Sequence, residues 1–194
     1  MPRAPRRRLL AVLVWMDLEM TGLDPTKDVV VEIATLVTDD DLAIVAEGPD
    51  LVIHATDEQL AGMVPVVAEM HAASGLTEAI RASTVTLEDA RAQTLAFLTV
   101  HVPKGEVPLS GNSIHTDRRF LQEYLPDVEA WLHYRNVDVS TLKELLKRWR
   151  PEVVASAPDK ASTHRAMEDV KASIDELRHY RAALFATPAP TGAA

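Results

Sequence analysis

The run of residues from Leu10 to Leu18 constrains the fold more than any other segment, because it is apolar at both odd and even positions until Asp17. Side chains of a strand alternate between two faces, so such a run predicts a central strand that is covered on both sides. Asp17 and Glu19 stand at its end and would point to one face. Burying unpaired carboxylates costs several kcal/mol each, so the sequence predicts that a cation lies between them.

The remaining hydrophobic pattern predicts an α/β fold. Apolar runs at 29–37 and 42–53 flank the acidic turn 38–41, which indicates an antiparallel hairpin. Two short β-like runs, 107–111 and 136–140, are each followed by a helical pattern and are expected to extend the sheet in parallel. We therefore expect a mixed five-stranded sheet, three antiparallel strands and then two parallel ones, with helices on both faces.

Capping residues and apolar spacing predict several helix boundaries. Thr86 is expected to cap a helix that ends at about Val102. Thr141 and Glu144 have the spacing of a capping box at the start of another helix. The last helix is expected over about 163–184, where apolar residues recur at helical intervals.

The chain is expected to form one domain over residues 9–185, with a disordered basic tail at 1–8 and a second disordered tail at 186–194. Its start imitates a secretory signal peptide, but Asp17 and Glu19 interrupt the apolar run before any small-residue cleavage site. We expect no membrane contact, because no other segment is long and apolar enough to span a bilayer. The lack of cysteine is compatible with the cytoplasmic location that we expect, and it excludes disulfides and thiolate zinc sites.

The charge of the chain limits its partners. A formal net charge of -9 argues against a long polyanion, because non-specific duplex binding needs many Lys and Arg contacts with phosphate. A short anionic substrate stays possible, since a bound metal and backbone donors can hold a few phosphates in an acidic protein.

Residues further along the chain could join the acidic pair. Asp117 lies just beyond a short strand, where ligand sites of parallel sheets gather, although an acid is also favoured in any first helical turn. The helical phase places Asp169 near the apolar stripe and Glu168 on the opposite side, so Asp169 is the better candidate. His164 lies five residues before Asp169, so the two share no helical face unless the helix begins late and His164 belongs to the loop before it. Taken singly, it is also typical of a surface histidine.

Together these residues fit one chemistry. Four carboxylates can hold two divalent cations about 3.5 to 4 Å apart, which is the arrangement used for in-line displacement at phosphate. Oxygen ligands suit Mg²⁺ or Mn²⁺, and a histidine can take a proton from the attacking water. The alternative for Asp17 and Glu19 is a pair of acids neutralised by basic side chains from elsewhere in the chain.

Several segments resemble, in order and spacing, the motifs of the oligoribonuclease family, which belongs to the DEDDh group of 3′-to-5′ exonucleases with a ribonuclease H-like fold. The segments are DLEMTGLDP (17–25), EMHAASGL (69–76), GNSIHTDRRFL (111–121), HYRNVDVSTLKEL (133–145) and THRAMED (163–169). The resemblance runs from about Leu10 to Leu184. It implies a hydrolase that releases nucleoside 5′-monophosphates from the 3′ end of short single-stranded RNAs, down to dinucleotides.

The resemblance also implies a role for each matching residue of the catalytic site. It implies two bound divalent cations, Mg²⁺ or Mn²⁺, and a histidine as general base. The matching metal ligands are Asp17, Glu19, Asp117 and Asp169, and the general base is His164.

Further matching residues would bind substrate. Leu23 would wedge against the terminal base, His71 and Ser113 would line the pocket, and Ser140 with Thr141 would meet the 5′ phosphate at a helix start, where hydroxyls and free N–H groups are available. In this family a homodimer is expected, in which one subunit completes the site of the other with residues His133, Tyr134 and Arg135.

Two positions depart from the family pattern. Val66 stands where many relatives carry a tryptophan, and Asn136 stands where an aromatic residue is common. Three alternatives remain: a DEDDh exonuclease that trims longer RNA or DNA, a non-catalytic module that captures dinucleotides, and a structural dimerisation domain. Four acids together with His164 argue against the binding module, because binding alone needs no general base.

Overall fold

The computed structural model describes residues 12–158 and 164–185, and these residues form a five-stranded sheet with nine helices. The strands are β1 (Val12–Met20), β2 (Val30–Asp39), β3 (Ile44–Val52), β4 (Pro108–Gly111) and β5 (His133–Asp138). They lie in the order β3-β2-β1-β4-β5. β1, β2 and β3 pair antiparallel, whereas β4 joins β1 and β5 joins β4 in parallel. The predicted mixed sheet is confirmed.

The helices follow the strands as the sequence pattern predicts. They are α1 (Asp57–Ala61), α2 (Pro65–Ala73), α3 (Leu76–Ala82), α4 (Leu87–His101), α5 (His115–Tyr124), α6 (Pro126–Glu129), α7 (Val139–Trp149), α8 (Pro151–Ala155) and α9 (Ala166–Phe185). The N-cap of α4 is Thr86, whose hydroxyl accepts from the Asp89 N–H. This cap confirms the predicted start of the longer helix.

Helices cover both faces of the sheet. Even-numbered residues of β1, such as Met16, pack in a buried cluster with Leu98 of α4 and Phe120 of α5. Odd-numbered Trp15 packs in a separate cluster with Ile174 of α9. Burying each large side chain stabilises the fold by roughly 1.5–3 kcal/mol. The alternation therefore turns the odd-numbered side chains of β1 toward α9.

Two predicted boundaries at the far edge of the sheet are wrong. β5 begins at His133, three residues before the predicted run at 136–140, so the H-Y-R triplet lies within the edge strand. α7 begins at Val139, and its N-cap is Asp138, whose carboxylate accepts from the Ser140 N–H. Because that carboxylate caps the helix, Thr141 lies in the first turn and does not form the predicted capping box.

The two predicted tails, 1–8 and 186–194, lie outside the described residues, as do the first residues of the predicted domain. Within 12–158 and 164–185, none of the helices has the length and hydropathy needed to cross a membrane.

Candidate active site

Three of the predicted acids meet where β1 ends. Asp17 and Glu19 point to the α9 face of β1, and Asp169 lies in the first turn of α9. One carboxylate oxygen from each residue lies within 4.8 Å of the other two. Glu168 is exposed and Asp169 is half-buried, as the helical phase predicts. We call Asp17, Glu19 and Asp169 the acidic cluster.

The acidic cluster carries an electrostatic conflict that a cation would relieve. Burial, followed by the charges of Asp169, Glu32 and Asp117, raises the pKa of the Glu19 carboxyl to about 8, and Arg165 acts in the opposite direction. A divalent cation would favour the ionised form of all three carboxyls. Closely spaced carboxylate oxygens are the ligands that Mg²⁺ and Mn²⁺ prefer, so this donor set fits such a cation.

Asp117 is held beside the acidic cluster by the backbone of β1. Its Oδ1 accepts a hydrogen bond of 2.9 Å from the N–H of Leu18, which lies between Asp17 and Glu19. Among the described residues, no strand pairs with Leu18 on that side, because β4 ends at Gly111. Burial raises the pKa of Asp117, and the charge of Asp138 acts in the same direction. Asp117 is not one of the three residues whose ligand oxygens converge, so its role as a ligand stays a prediction.

His71 connects helix α2 to the acidic cluster. Its side chain is fully buried, and Nε2 lies 2.9 Å from the carbonyl oxygen of Met20 at the end of β1. A carbonyl can only accept, so Nε2 is the protonated nitrogen. Nδ1 lies 3.9 Å from Oε2 of Glu19 and, among the described residues, has no hydrogen-bond partner. The predicted departure Val66 lies on the same helix and is 70% exposed.

The last helix begins at Ala166 and not at about 163 as predicted, so His164 lies just before α9. Its backbone is left-handed with a φ of 49°. Such a conformation is uncommon for a residue other than glycine and clusters at functional sites. The next two residues are fixed by Glu32 of β2, which is fully buried opposite Glu19. Its Oε1 lies 2.8 Å from Nη2 of Arg165, and its Oε2 accepts from the Ala166 N–H at 3.0 Å.

The anchoring role of Glu32 was not predicted from the sequence. The available signal was an acid between the apolar residues Val31 and Ile33 of β2. Its partners lie at the other end of the chain, so their identity could not be read from that signal.

A second group of polar side chains lies beyond β4 and β5. Ser113, in a left-handed conformation with a φ of 50°, donates its N–H to Oγ of Ser140 at 2.9 Å and to Oδ1 of Asp138 at 3.0 Å. The two serine hydroxyls lie 3.2 Å apart. We call Ser113 and Ser140 the serine cluster. The predicted free N–H at the start of α7 is wrong for Ser140, because Asp138 accepts from it. Thr141 is exposed beside the cluster.

Leu23 projects from the loop after β1 and is 70% exposed. Asp28 fixes this loop, because its carboxylate accepts from the Asp24 N–H at 2.9 Å and from the Thr21 hydroxyl at 3.4 Å. A Cβ on Gly22 would lie 2.4 Å from Oδ2 of Asp28, so any larger residue would displace the carboxylate that holds the loop. The loop therefore presents an apolar side chain at the end of β1 that carries the acids.

The H-Y-R triplet lies on the edge strand β5. Tyr134 is 73% exposed, and the guanidinium of Arg135 lies 5.4 Å from its ring centroid. The buried Arg118 of α5 donates to the carbonyl oxygens of His133 and Tyr134 at 2.7 and 2.6 Å. Arg118 therefore holds the backbone of the triplet while the side chain of Tyr134 faces solvent.

Comparison with known families gives the class of the protein. Residues 14–177 match the family model described as exonuclease (RNase T). Together with the mixed sheet and the acidic cluster, this match defines a nuclease, a hydrolase that acts on phosphodiester bonds. Metal dependence is expected for this class.

Similar sequences identify the family more closely. The chain is 56% identical over 169 residues to the oligoribonuclease of Pseudomonas paraeruginosa, covering 87% of this chain and 93% of that protein. It is 54% identical over 173 residues to the oligoribonuclease of Shewanella amazonensis, covering 89% and 95%. It is 55% identical over 183 residues to that of Corynebacterium efficiens, covering 93% and 83%. The chain belongs to the oligoribonuclease family.

Solved structures support the fold. The complex of E. coli exonuclease I with single-stranded DNA in its zinc-bound form superposes with a TM-score of 0.69 at 16% identity, covering 91% of this chain and 41% of that chain. Exonuclease I of Methylocaldum szegediense gives a TM-score of 0.63 at 20% identity, with the same coverage of 91% and 41%. The protein thus spans about two fifths of the length of these exonucleases, and the predicted ribonuclease H-like fold is confirmed.

Proposed function

We propose that the protein is a 3′-to-5′ exoribonuclease that releases nucleoside 5′-monophosphates from RNAs of a few nucleotides, down to dinucleotides. The observation that carries the proposal is the convergence of Asp17, Glu19 and Asp169 within 4.8 Å at the end of the central strand. Membership of the oligoribonuclease family supports the choice of RNA as the substrate. A cytoplasmic location is part of the same proposal.

The acidic cluster and Asp117 would hold two divalent cations, Mg²⁺ or Mn²⁺. When bound, these cations would lower the pKa of the attacking water and offset charge on the leaving oxygen. The protein contributes by placing the four carboxylates: two come from one face of β1, one from α9 packed on that face, and one, Asp117, from the first turn of α5.

His164 is the proposed general base. An imidazole can accept a proton from the attacking water near pH 7, provided that it lies within reach of that water. Its position before α9 supports the role, because Arg165 and Ala166 are fixed to Glu32 opposite Glu19. A short segment that is anchored to β2 then carries both His164 and Asp169.

A short substrate would be held at both ends. Leu23 would wedge against the terminal base, and His71 and Ser113 would line the pocket between the ends. Ser140 and Thr141 would meet the 5′ phosphate. Hydroxyl contacts to one phosphate suit a protein with a net charge of -9, which lacks the cation excess needed for a long strand.

The proposal includes a homodimer in which His133, Tyr134 and Arg135 complete the site of the other copy. Its support is the exposure of Tyr134 on an edge strand, together with the buried Arg118 that holds the triplet in place. An aromatic ring beside a guanidinium can stack on a base and contact a phosphate.

The test is hydrolysis of a 5′-phosphorylated diribonucleotide with and without Mg²⁺. We expect the purified protein to release two mononucleotides only with the cation, and we expect His164→Ala to lower kcat by about 100-fold. His101→Ala is the matched control, because that exposed histidine ends α4 near Val12 at the opposite end of β1.

Other outcomes would favour the rival functions. A strong preference for RNA or DNA of many nucleotides would identify a general 3′-end exonuclease. Tight binding of the dinucleotide without cleavage in either Mg²⁺ or Mn²⁺ would identify a binding module.

A further inference from the structure

Asn112 connects the serine cluster to helix α9. It follows the last residue of β4, and its Oδ1 accepts from the Ser140 hydroxyl at 3.0 Å. Its Nδ2 donates to Oγ of Ser173 at 2.8 Å and to Oε2 of Glu176 at 3.0 Å. One amide side chain thus joins the start of α7 to the middle of α9.

Glu176 determines which way the amide of Asn112 faces. Oε1 of Glu176 accepts from the Tyr180 hydroxyl at 2.7 Å and lies 3.0 Å from Nζ of Lys143. Burial alone would raise the pKa of Glu176, but the hydrogen bonds from Tyr180, Lys143 and Asn112 outweigh it and lower the pKa. An ionised carboxylate only accepts, so Nδ2 of Asn112 must face it. Oδ1 must then face Ser140, whose hydroxyl has to donate.

A further hydrogen bond links Asn112, through Ser173, to the backbone of Asp169 in the acidic cluster. Ser173 is buried one helical turn after Asp169, and its hydroxyl donates to the Asp169 carbonyl oxygen at 2.7 Å. Three hydrogen bonds therefore run in one direction, from Ser140 to Asn112, from Asn112 to Ser173, and from Ser173 to the backbone of Asp169.

We propose that Asn112 is a positioning residue that couples a 5′ phosphate at the serine cluster to the placement of Asp169 in the acidic cluster. The inference rests on the proposed function, because it needs a substrate whose 5′ phosphate reaches Ser140. It predicts that the 5′ phosphate increases turnover and not only affinity.

The hydroxyl protons provide the physical basis of the coupling. Without phosphate, the Ser140 hydroxyl donates to Asn112. A phosphate has strong acceptor oxygens and would attract that proton, leaving Oδ1 of Asn112 without its donor. The amide would then change its hydrogen bonding, and Ser173 would transmit the change to the first turns of α9.

The test compares the dinucleotide ApA with and without a 5′ phosphate in saturating Mg²⁺. For the wild-type protein we expect the phosphate to raise kcat by about tenfold, a typical size for coupling between two sites. In Asn112→Ala we expect the two kcat values to become nearly equal, while KM still favours the phosphorylated substrate. Gln122→Ala is the control, because this exposed amide also donates to a carboxylate, that of Glu129, and should keep the wild-type ratio.

Several results would overturn the coupling. An equal fall of kcat for both substrates would show that Asn112 is merely structural, and a change confined to KM would show that it only binds. A wild-type protein that cleaves both dinucleotides with one kcat would also contradict it. If the wild-type protein cleaves neither dinucleotide, the proposed function itself fails, and this inference fails with it.

If thermal unfolding shows that Asn112→Ala does not fold, Ser173→Ala tests the same coupling. It removes the contact with the Asp169 carbonyl and leaves the bond between Asn112 and Glu176 in place. We expect it to reduce the effect of the phosphate on kcat. Combined with Ser140→Ala, it should give a non-additive change in ln kcat, whereas additive changes would contradict a connection through Asn112.

Discussion

At the scale of one residue, the carboxyl group of Glu19 shows the electrostatic conflict that a bound cation would relieve. Its pKa is about 8 instead of the ordinary 4.5, chiefly because the side chain is buried. In the metal-free protein, folding therefore favours the protonated form. The stability that protonated Glu19 provides is fully present below about pH 4.5 and is lost as the pH rises through about 8.

Glu19→Gln tests how much the ionised Glu19 carboxylate destabilises the fold, because glutamine keeps the shape of the side chain and removes its charge. In EDTA at pH 8.5 we expect the variant to be more stable than the wild type by on the order of 2 kcal/mol, or about 5 °C in Tm. At pH 4.5 the difference should nearly vanish. Glu47→Gln on the exposed side of β3 is the control and should show no such pH dependence. Equal Tm differences at both pH values would contradict the account.

At the scale of an element, the start of α9 depends on one buried ion pair. The Glu32 side chain is 1% exposed and the Arg165 side chain is 37% exposed. Removal of Arg165 would leave a buried carboxylate without its partner, whereas removal of the Glu32 charge would leave an arginine that can reach solvent. The two halves of the pair should therefore differ in their effect on stability.

We expect Arg165→Ala to lower the free energy of unfolding by about 3 kcal/mol and Glu32→Gln by about 1 kcal/mol, because glutamine can still accept from the Ala166 N–H. Urea unfolding of the two variants measures the difference. Both should lower the turnover of a dinucleotide, since His164 and Asp169 flank the anchored residues. The opposite order of stabilities would show that the pair does not anchor α9 in this way.

Element boundaries also show where sequence patterns were insufficient. The sheet could be predicted because β1 is apolar on both faces and the hairpin has an acidic turn. The start of β5 could not, because Arg118 of α5 holds the carbonyls of His133 and Tyr134, and a local pattern contains no such information. The same applies to α7, whose start depends on the carboxylate of Asp138.

The sequence likewise predicted some residues of the candidate site and missed others. Strand alternation correctly put Asp17 and Glu19 on one face of β1, and helical phase correctly favoured Asp169 over the exposed Glu168. Glu32 and Asn112 were missed, because their partners Arg165 and Ser173 lie 133 and 61 residues away in the sequence. A polar residue beside an apolar segment indicates that a partner exists but does not say which one.

At the scale of the whole molecule, the proposed homodimer makes a quantitative prediction. Asp17→Asn should inactivate the site of its own subunit, and Arg135→Ala should impair the site of the other subunit. When the two variants are mixed and allowed to exchange subunits, half of the dimers contain both, and each of these has one intact site. We expect the mixture to recover about a quarter of the wild-type hydrolysis of a dinucleotide.

The matched control for this mixing experiment is Asp17→Asn combined with Glu19→Gln. Both changes lie in the same site, so no combination of subunits restores it. Recovery in this control, or none in the Asp17→Asn and Arg135→Ala mixture at concentrations where dimers form, would contradict a site shared between subunits.

Binding of Mn²⁺ measured by titration calorimetry tests the central claim most directly, because it requires no assumption about substrate. We expect the wild-type protein to bind the cation and Asp169→Asn to lose at least one binding event. Asp175→Asn, on the exposed side of the same helix, should bind as the wild type does. If Asp169→Asn bound Mn²⁺ with the stoichiometry and affinity of the wild type, the acidic cluster would not be the metal site.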